Sequence, residues 1–332
     1  MPELPKRILV QKGAIDAIKE FSNGLGKNFL IVADEVTKSI GAEKIASSLG
    51  AKIVLIKDSS LDEVKKIEAE KTDCIISFGG GKVIDVGKLA AHGKKIPFVS
   101  FPTACSHDGI ASMNASIREN GEYKSFTATA PAGIIADVDI LSKSPYRLEA
   151  SGAADLISNY CSVFDWRLGS QKNGESYSEP IANLALLSAG LVSDNTLQIK
   201  RIEDEGIKNL MWGLIFSGIS MTLHGSSRPA SGAEHMFSHA LDKIGKFGLH
   251  GEQVGIGTIF FSYLQGQDWQ KIRNTLKDLG APTTIKEVGI SQEVFVEAMI
   301  KAKDVRKRYT ILDEKPLTEK LVLRIVKETK LV

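Results

Sequence analysis

The chain has few cysteines and no long apolar segment. Its 332 residues include only three cysteines, which lie far apart at Cys74, Cys105 and Cys161. That spacing excludes a disulfide framework and a zinc ribbon, and it favours small buried thiols. The longest nearly apolar segment, Leu210 to Leu223, covers 14 residues and is interrupted by glycines, serines and a threonine. A transmembrane helix needs about 20 consecutive apolar residues.

An excess of charge of either sign is also absent. The chain has 42 Lys and Arg against 40 Asp and Glu, a formal net charge of +2. This balance gives no sign of a nucleic-acid-binding surface or a polybasic membrane patch. The N-terminal residues are charged and include two prolines, without the apolar core of a signal peptide. The sequence therefore predicts a cytoplasmic protein with no nucleic-acid partner and no stable membrane insertion.

Apolar residues make up 43% of the chain, which is enough to bury a sizeable core. In the first half, short apolar runs alternate with segments of helical spacing. The runs predict strands at 29–33, 53–56, 74–78, 96–101 and 134–136, and the spacing predicts helices at 37–49, 61–71 and 83–91. This alternation is typical of a parallel sheet covered on both faces. Asn120-Gly121 predicts a hairpin between 114–117 and 123–127.

After Pro145 the strand pattern ends and long segments of helical spacing follow. They predict helices at 148–168, 178–197, 203–223, 233–244, 254–264, 269–279, 292–303 and 317–330. We therefore predict an α/β domain at 1–144 and an all-helical domain at 145–332.

A glycine-rich turn is the first candidate for ligand binding. The predicted strand 74–78 runs directly into Gly79, Gly80, Gly81 and Lys82, and a helix follows. Backbone N–H groups of glycines can approach a phosphate closely, and the helix N-terminus adds partial positive charge. The segment matches neither G-x-G-x-x-G nor a P-loop, so a tight strand–helix turn is the alternative interpretation. Asp34, which ends an earlier strand, could accept a ribose hydroxyl or cap the next helix.

Histidines are few, and four of the six fall at 224–250. His235 and His239 stand four residues apart and share a helix face, and His250 follows a glycine-bearing loop. Two histidines and one carboxylate form an open catalytic zinc site, for which Asp155 is the distant candidate. A hydrogen-bonded buried pair is the alternative for His235 and His239.

Longer motifs support a family assignment. The segment 78–88 resembles the glycine-rich cofactor motif of the superfamily of glycerol dehydrogenase, dehydroquinate synthase and iron-type alcohol dehydrogenase. The segments 102–112, 225–235 and 250–255 are similar to archaeal glycerol-1-phosphate dehydrogenases, and the motifs follow the family's order over nearly the whole chain. The resemblance implies a Rossmann-like dinucleotide-binding domain, an all-α domain, an active site in the cleft between them and a homo-oligomer.

The resemblance also implies residue roles. The zinc ligands would be Asp155, His235 and His250. NAD or NADP would bind at Asp34, Gly79, Gly80, Gly81, Lys82, Asp85, Thr103, Ser106 and Ser112. The substrate would contact Asp108, Asp155 and His235. We add Arg228 as a further substrate contact, and we predict Asp108 and His239 as the catalytic residues. Arg228 is the candidate for the substrate phosphate because it lies seven residues before His235; an interhelical or surface arginine is the alternative, and Lys124, Lys88 and backbone amides are further candidates.

The implied reaction is the reduction of dihydroxyacetone phosphate to sn-glycerol 1-phosphate, the first step towards archaeal membrane phospholipids. A zinc-bound water, Asp108 or His239 could relay the proton. Asp34 should repel the 2′-phosphate of NADP, and Lys38 could reduce that repulsion. The alternatives are a glycerol dehydrogenase that acts on plain polyols, a dehydroquinate synthase-like lyase and a non-enzymatic dinucleotide sensor.

Overall fold

The computed structural model describes residues 3–119 and 121–332, apart from the side chain of Glu122. These residues form two compact units. One unit runs to Pro145 and also includes Leu214–Gly225, and the other consists of Tyr146–Gly213 and Ser226–Val332. The assignment of Leu214–Gly225 to the first unit is a feature that the sequence pattern did not indicate.

The first unit is built on a parallel sheet, as the sequence predicts. Its six strands are β1 (Arg7–Gln11), β2 (Phe29–Ala33), β3 (Lys52–Leu55), β4 (Cys74–Gly79), β5 (Phe98–Pro102) and β8 (Gly133–Asp137). They lie in the order β1-β8-β5-β4-β2-β3, and every neighbouring pair is parallel. No local sequence pattern predicts β1, which pairs with β8 along its whole length. Two further strands of the unit, β6 (Asn114–Glu119) and β7 (Glu122–Thr127), lie outside this sheet.

The central strands β4 and β5 are buried along their whole length. Their apolar side chains include Ile76, Phe78 and Phe101, and the last two rings meet edge to face with centroids 4.8 Å apart. Because both faces of these strands are covered, their sequences read as continuous apolar runs. This rigid centre fixes the position of Gly79, the last residue of β4.

The first unit contains six short or medium α-helices, counted over the described residues. They are α1 (Ile18–Phe21), α2 (Glu35–Thr37), α3 (Glu43–Leu49), α4 (Leu61–Glu68), α5 (Gly81–Lys94) and α6 (Val138–Leu141). The segment predicted as a helix, 37–49, is helical throughout, but a π-helical stretch, Lys38–Ala42, lies between α2 and α3. Gly41 in this segment packs so closely on the core that a Cβ atom there would lie 2.8 Å from both Ile15 and Phe78.

The predicted hairpin is present as the antiparallel pair β6 and β7. Gly121 in its turn has a φ of 90°, a conformation that favours glycine. Asn120, the other residue of the predicted turn, lies outside the described residues.

The second unit is helical, and no strand occurs within the described residues 146–332. The prediction of one helix at 148–168 is wrong, because the helix is interrupted at Ser158. The hydroxyl of Ser158 donates to the carbonyl of Asp155 at 2.6 Å. Helix α11 (Asp204–His224) begins in this unit and ends in the first. The helices are α7 (Tyr146–Ile157), α8 (Asn159–Asn173), α9 (Glu179–Asp194), α10 (Thr196–Lys200), α11 (Asp204–His224), α12 (Ala233–Ile244), α13 (His250–Gln265), α14 (Trp269–Asp278), α15 (Gln292–Lys301), α16 (Ile311–Glu314) and α17 (Glu319–Glu328).

Among the described residues, none of these helices combines the length and the apolar character needed to cross a membrane.

Candidate active site

The glycine turn joins β4 to α5 in the first unit. Gly80 occupies the N-cap position of α5 and no side chain caps this helix. A Cβ atom at Gly79 would lie 2.6 Å from Val83, and one at Gly81 would lie 2.2 Å from Nε2 of His107, whereas one at Gly80 would meet nothing within 4 Å. The turn therefore leaves open space over Gly80 beside an uncapped helix N-terminus, an arrangement that suits an anionic phosphate.

Asp34 caps the next helix, which is one of the two roles that its position in the sequence suggests; a contact with the ribose of the cofactor stays a prediction. Its carboxylate accepts from the backbone N–H of Thr37 at 2.9 Å and so caps α2. The ammonium of Lys82 lies 3.0 Å from the other carboxylate oxygen. Burial raises the pKa of Asp34, but the hydrogen bonds from Thr37 and Lys82 together outweigh this effect, so the pKa lies below its usual value. Asp34 is thus an ionised group at the edge of the glycine turn, with its charge offset by Lys82.

The predicted cofactor loop follows β5. The backbone N–H of Thr103 donates to the carbonyl of Gly79 at 3.2 Å, which ties the loop to the glycine turn. Thr103 and Ser112 are buried, and Ser106 is half-buried. His107, which the sequence analysis did not single out, accepts from the backbone N–H of Gly109 through Nδ1 at 2.9 Å. Its ring occupies the space that the absent side chain of Gly81 leaves open.

A buried lysine anchors the same loop from beneath. Lys88 is fully buried, and its ammonium donates to the carbonyls of Gly109 and Asn114, the second at 2.6 Å. Asp85 lies 3.5 Å from this ammonium and accepts from the backbone N–H of Ser116 at 3.0 Å. Asp85 and Lys88 therefore hold the loop in place, and a contact of Asp85 with the cofactor stays a prediction.

Asp108, the predicted substrate-binding acid, is positioned by α11. The hydroxyl of Ser217 donates to Asp108 Oδ2 at 2.7 Å. Gly218 allows this close packing, because a Cβ atom there would lie 2.7 Å from the carbonyl oxygen of Asp108 and 2.8 Å from the nitrogen of Ser112. Ser217 and Gly218 are more than 100 positions from the loop in sequence, and no local signal identifies them.

Three side chains of the second unit bring metal-ligating atoms together. His235 Nε2 lies 3.4 Å and His250 Nε2 lies 3.8 Å from Asp155 Oδ1, and the three ligand atoms all lie within 4.8 Å of one another. Tetrahedral ligands with bonds of about 2.0–2.1 Å stand about 3.3 Å apart, so the cluster has the spacing of a metal site. The side chain of His250 is 40% exposed, which leaves one side of the site open.

A buried carboxylate orients His235. Glu234 Oε1 lies 2.8 Å from His235 Nδ1 and also accepts from Ser162 and from the backbone N–H of Gly232. Burial lowers the pKa of His235, but the carboxylates of Asp155 and Glu234 outweigh it and raise the pKa to about 9. A carboxylate behind a histidine ligand is the usual support for metal binding, since it fixes the ring and strengthens the ligand.

His250 is oriented by a chain of hydrogen bonds. Its Nδ1 lies 3.1 Å from the hydroxyl of Ser238, which donates to Gln253 Oε1 at 2.6 Å. The amide nitrogen of Gln253 in turn donates to Asp242 and to the carbonyl of Phe247. Because the hydroxyl proton is used by Gln253, the hydroxyl oxygen accepts from Nδ1–H, and Nε2 of His250 is left to face the metal.

His239 lies on α12, beside the three candidate metal ligands. Its ring centroid is 6.2 Å from that of His250, and its Nε2 lies 3.4 Å from Arg306 Nη2. Burial and the charge of Arg306 hold the pKa of His239 well below its usual value, so the ring is neutral at neutral pH. A neutral imidazole can still donate one hydrogen bond and accept another.

Arg228 is buried, and its charge is already paired with a carboxylate of the second unit. Its Nε donates to Glu175 at 2.6 Å, and its Nη2 donates to the carbonyls of Tyr309 and Asp165. A role for Arg228 in binding the substrate phosphate stays a prediction. Lys124, a further candidate, pairs with Glu119 at 2.6 Å in the hairpin.

Comparisons with known proteins agree with the motifs. Residues 9–145 match the family described as iron-containing alcohol dehydrogenase. A glycerol-1-phosphate dehydrogenase from Thermococcus sibiricus, named with NAD(P)+ as its coenzyme, is 43% identical over 99% of this chain and 98% of its own length. One of the same name from Nitrosopumilus maritimus is 42% identical over 99% of this chain and 96% of its own length.

Solved structures support the fold. A probable glycerol dehydrogenase from Sinorhizobium meliloti matches with a TM-score of 0.82 and 18% identity, over 100% of this chain and 99% of the other. A glycerol dehydrogenase from Schizosaccharomyces pombe matches with a TM-score of 0.81 and 21% identity, over 99% of this chain and 90% of the other. At these identities the likeness concerns the fold alone.

Proposed function

The chain belongs to the NAD(P)-dependent glycerol-1-phosphate dehydrogenases, and from that premise we propose that it reduces dihydroxyacetone phosphate to sn-glycerol 1-phosphate at a metal centre formed by Asp155, His235 and His250. The observation that carries the proposal is the convergence of these three ligand atoms beside His239, in a chain that matches its relatives over almost its whole length. The product would serve as the backbone of archaeal membrane phospholipids.

The reaction moves a hydride to a ketone carbon, which places negative charge on the carbonyl oxygen. The hydride comes from the reduced nicotinamide of the cofactor. A metal ion held by the three ligands supplies Lewis acidity for the carbonyl oxygen. The protein's part is to hold the ligand atoms, the cofactor and the substrate in place and to manage one proton.

Several side chains of this protein do that work. Glu234 and Ser238 fix the tautomers of His235 and His250, so that both Nε2 atoms face the metal site. His239 is neutral, and we assign to it a hydrogen bond with the substrate. Asp108, fixed by Ser217, orients a substrate hydroxyl or relays the proton.

The cofactor is assigned to the first unit. The uncapped N-terminus of α5 at Gly80 would receive the pyrophosphate, with the loop of Thr103, Ser106 and Ser112 beside it. Asp34 would accept the ribose hydroxyls, while Lys82 offsets its charge. Lys82 rather than Lys38 would reduce repulsion of a 2′-phosphate, because Lys38 lies 3.7 Å from Glu43.

We propose zinc as the metal. Two imidazoles and one carboxylate match a catalytic zinc site with three protein ligands. The same donor set also suits iron(II), and the matching family is described as iron-containing. Metal analysis of the purified protein, followed by reconstitution of the metal-free protein with Zn²⁺ or Fe²⁺, decides between the two: we expect zinc to be bound and to restore activity, and activity with Fe²⁺ alone would contradict the zinc assignment.

The substrate assignment is tested by NADPH oxidation with the metal-loaded protein. We expect rapid turnover with dihydroxyacetone phosphate and little with dihydroxyacetone at the same concentration. A preference for dihydroxyacetone would indicate a glycerol dehydrogenase and leave the fold and the metal site unchanged.

The ligand assignment has its own test. We expect Asp155→Ala and His250→Ala to lose bound metal and activity together, because each removes one of three ligands. Asp139→Ala, on an exposed side chain of the first unit, is the control and should retain both. A variant of Asp155 or His250 with full metal content and full activity would contradict the assignment.

A further inference from the structure

Two arginines project to the same side of the segment 305–309, next to His239. Arg306 and Arg308 alternate with the exposed Lys307 in a stretch without helix or strand. Arg306 Nη2 lies 3.4 Å from His239 Nε2, and its Nη1 lies 3.5 Å from the hydroxyl oxygen of Ser227. Arg308 Nη2 donates to the same hydroxyl oxygen at 3.0 Å. Two guanidinium groups and one hydroxyl therefore meet at one place beside His239.

The hydrogen bonds of this cluster go to uncharged groups, including one from Arg308 Nη1 to the carbonyl of Ser231 at 2.5 Å. Among the described residues, neither Arg306 nor Arg308 forms a salt bridge with a carboxylate, whereas the neighbouring Arg228 pairs with Glu175 at 2.6 Å. Burial lowers the pKa of Arg306. Burial and the charges of Arg228 and Arg306 lower the pKa of Arg308 to about 10, more than Glu234 and Glu175 raise it.

Such an arrangement destabilises the protein unless an anion joins it. Withdrawing a charge from water without a partner carries a large desolvation cost. Sites that break this rule are expected where a ligand supplies the missing partner. A guanidinium fork matches the oxygens of a phosphate group, and two forks with a hydroxyl can bind several of them.

The cluster also lies close to the proposed metal ligands. His239 neighbours both groups: its Nε2 lies 3.4 Å from Arg306 Nη2, and its ring centroid lies 6.2 Å from that of His250. The ring centroids of His250 and His235 are 5.1 Å apart. In dihydroxyacetone phosphate, one methylene carbon and one ester oxygen separate the carbonyl carbon from phosphorus. A substrate whose carbonyl oxygen faces the metal ligands would extend its phosphate past His239 towards Arg306.

We propose that Arg306 and Arg308, together with the hydroxyl of Ser227, bind the phosphate of the substrate and select the phosphorylated ketone over dihydroxyacetone. The inference rests on the proposed function and adds to it the residues that recognise the phosphate. The sequence-based candidate Arg228 then has a supporting role, because its guanidinium holds Glu175 and the carbonyl of Tyr309, which follows Arg308.

The test compares R306M, R306K and the control K307M in metal-loaded enzyme. The readout is the ratio of kcat/KM for dihydroxyacetone phosphate to kcat/KM for dihydroxyacetone. We expect R306M to lower this ratio about 100-fold, as the loss of a charge-assisted contact implies. R306K keeps the charge but loses the fork and should recover part of the ratio, and K307M should stay within about twofold of wild type, as expected for an exposed charge.

Inorganic phosphate provides a readout that does not depend on catalysis. We expect it to inhibit the wild type competitively against dihydroxyacetone phosphate and to raise its melting temperature, and we expect both effects to weaken in R306M and R306K but not in K307M.

The outcomes separate the two proposals. A wild type that does not reduce dihydroxyacetone phosphate contradicts the proposed function, and the melting-temperature series with inorganic phosphate still tests the arginine site. A wild type that does reduce it, with an unchanged ratio in R306M and in R306K, overturns only the phosphate assignment. Phosphate that neither inhibits nor stabilises the wild type also overturns it.

Discussion

At the scale of single residues, His235 lies between two carboxylates, and these control the proton that it carries at the proposed metal site. Asp155 faces Nε2 and Glu234 faces Nδ1. Without a metal ion, the ring carries a proton on the nitrogen that a metal would use. Metal binding is therefore coupled to loss of that proton.

This coupling predicts how metal affinity depends on pH. The pKa of His235 is raised to about 9 in the metal-free protein. Below that pH the metal must displace a proton, so affinity for Zn²⁺ should increase by about tenfold per pH unit between pH 6 and pH 8. Competition titrations with a chelator of known affinity, corrected for its own protonation, measure this slope. A pH-independent affinity would show that His235 is neutral before the metal binds.

The same proton affects the stability of the metal-free protein. A histidine whose pKa is raised by folding stabilises the fold fully below its unfolded pKa of about 6.5, and the contribution disappears as the pH rises through the folded value of about 9. We expect the metal-free protein to lose stability between about pH 6.5 and pH 9 and His235→Gln to remove that loss, as measured by denaturant unfolding. An equal loss in the variant would assign the effect to another group.

The ion pair of Lys82 with Asp34 predicts a shift in coenzyme preference. Lys82→Met would leave the charge of Asp34 without its partner, and Asp34 would then repel the 2′-phosphate of NADP. We expect kcat/KM for NADPH to fall about fivefold relative to NADH, the size of an exposed charge interaction of about 1 kcal/mol. Lys38→Met is the matched control and should leave the ratio of the two coenzymes unchanged. If Lys38→Met instead changes that ratio and Lys82→Met does not, the earlier assignment to Lys38 is correct.

Some residues of the site could be predicted from sequence motifs, and others could not. The motifs identify Asp155, His235 and His250, and the structure brings these three together. Arg306 and Ser217 could not be found in this way, because they meet His239 and Asp108 across 67 and 109 positions of sequence. Glu234 had a usable signal, since it directly precedes a candidate ligand and a buried carboxylate there is a common support for a histidine.

At the scale of elements, the glycine turn contains glycines that close packing requires and one, Gly80, that packing does not require. The prediction compares Gly81→Ala with Gly80→Ala. The methyl group at position 81 would displace the ring of His107, so we expect a loss of about 1–3 kcal/mol in the free energy of unfolding. The methyl group at position 80 meets no protein atom, so the loss should be limited to about 0.5–1 kcal/mol, the usual difference between glycine and alanine at an N-cap.

Coenzyme affinity completes that comparison. If the pyrophosphate lies over Gly80, Gly80→Ala should weaken NADPH binding although it lowers stability only slightly. Fluorescence titration with NADPH and urea unfolding measure the two quantities on the same samples. Gly80→Ala with normal NADPH affinity would place the pyrophosphate elsewhere.

The accuracy of the element predictions follows the strength of each local pattern. The run Phe29–Ala33 is continuous and rich in β-branched residues, and the predicted strand matches β2 at both ends. Ala233–Ile244 matches α12 in the same way, because its apolar face repeats with helical spacing. β1 was missed because five residues flanked by charged side chains give little signal alone, and its pairing with β8 comes from more than 120 positions away.

At the scale of the whole molecule, the chain matches its glycerol-1-phosphate dehydrogenase relatives over nearly their entire length. The proposed function assigns a separate part of the chemistry to each unit. The first contains the glycine turn and its loop, to which we assign the cofactor, and the second contains the proposed metal ligands and the arginine cluster. The homo-oligomer that the resemblance implies stays a prediction, for which the molar mass in solution is the direct measurement.

The central claim is the formation of glycerol 1-phosphate, and the configuration of the product tests it most directly. Dihydroxyacetone phosphate is converted with NADPH by the metal-loaded wild type, and the glycerol phosphate is analysed with an enzyme specific for the 3-phosphate enantiomer and by chiral chromatography. We predict that sn-glycerol 1-phosphate is the only enantiomer formed. Formation of sn-glycerol 3-phosphate, or of a racemic mixture, would contradict the account.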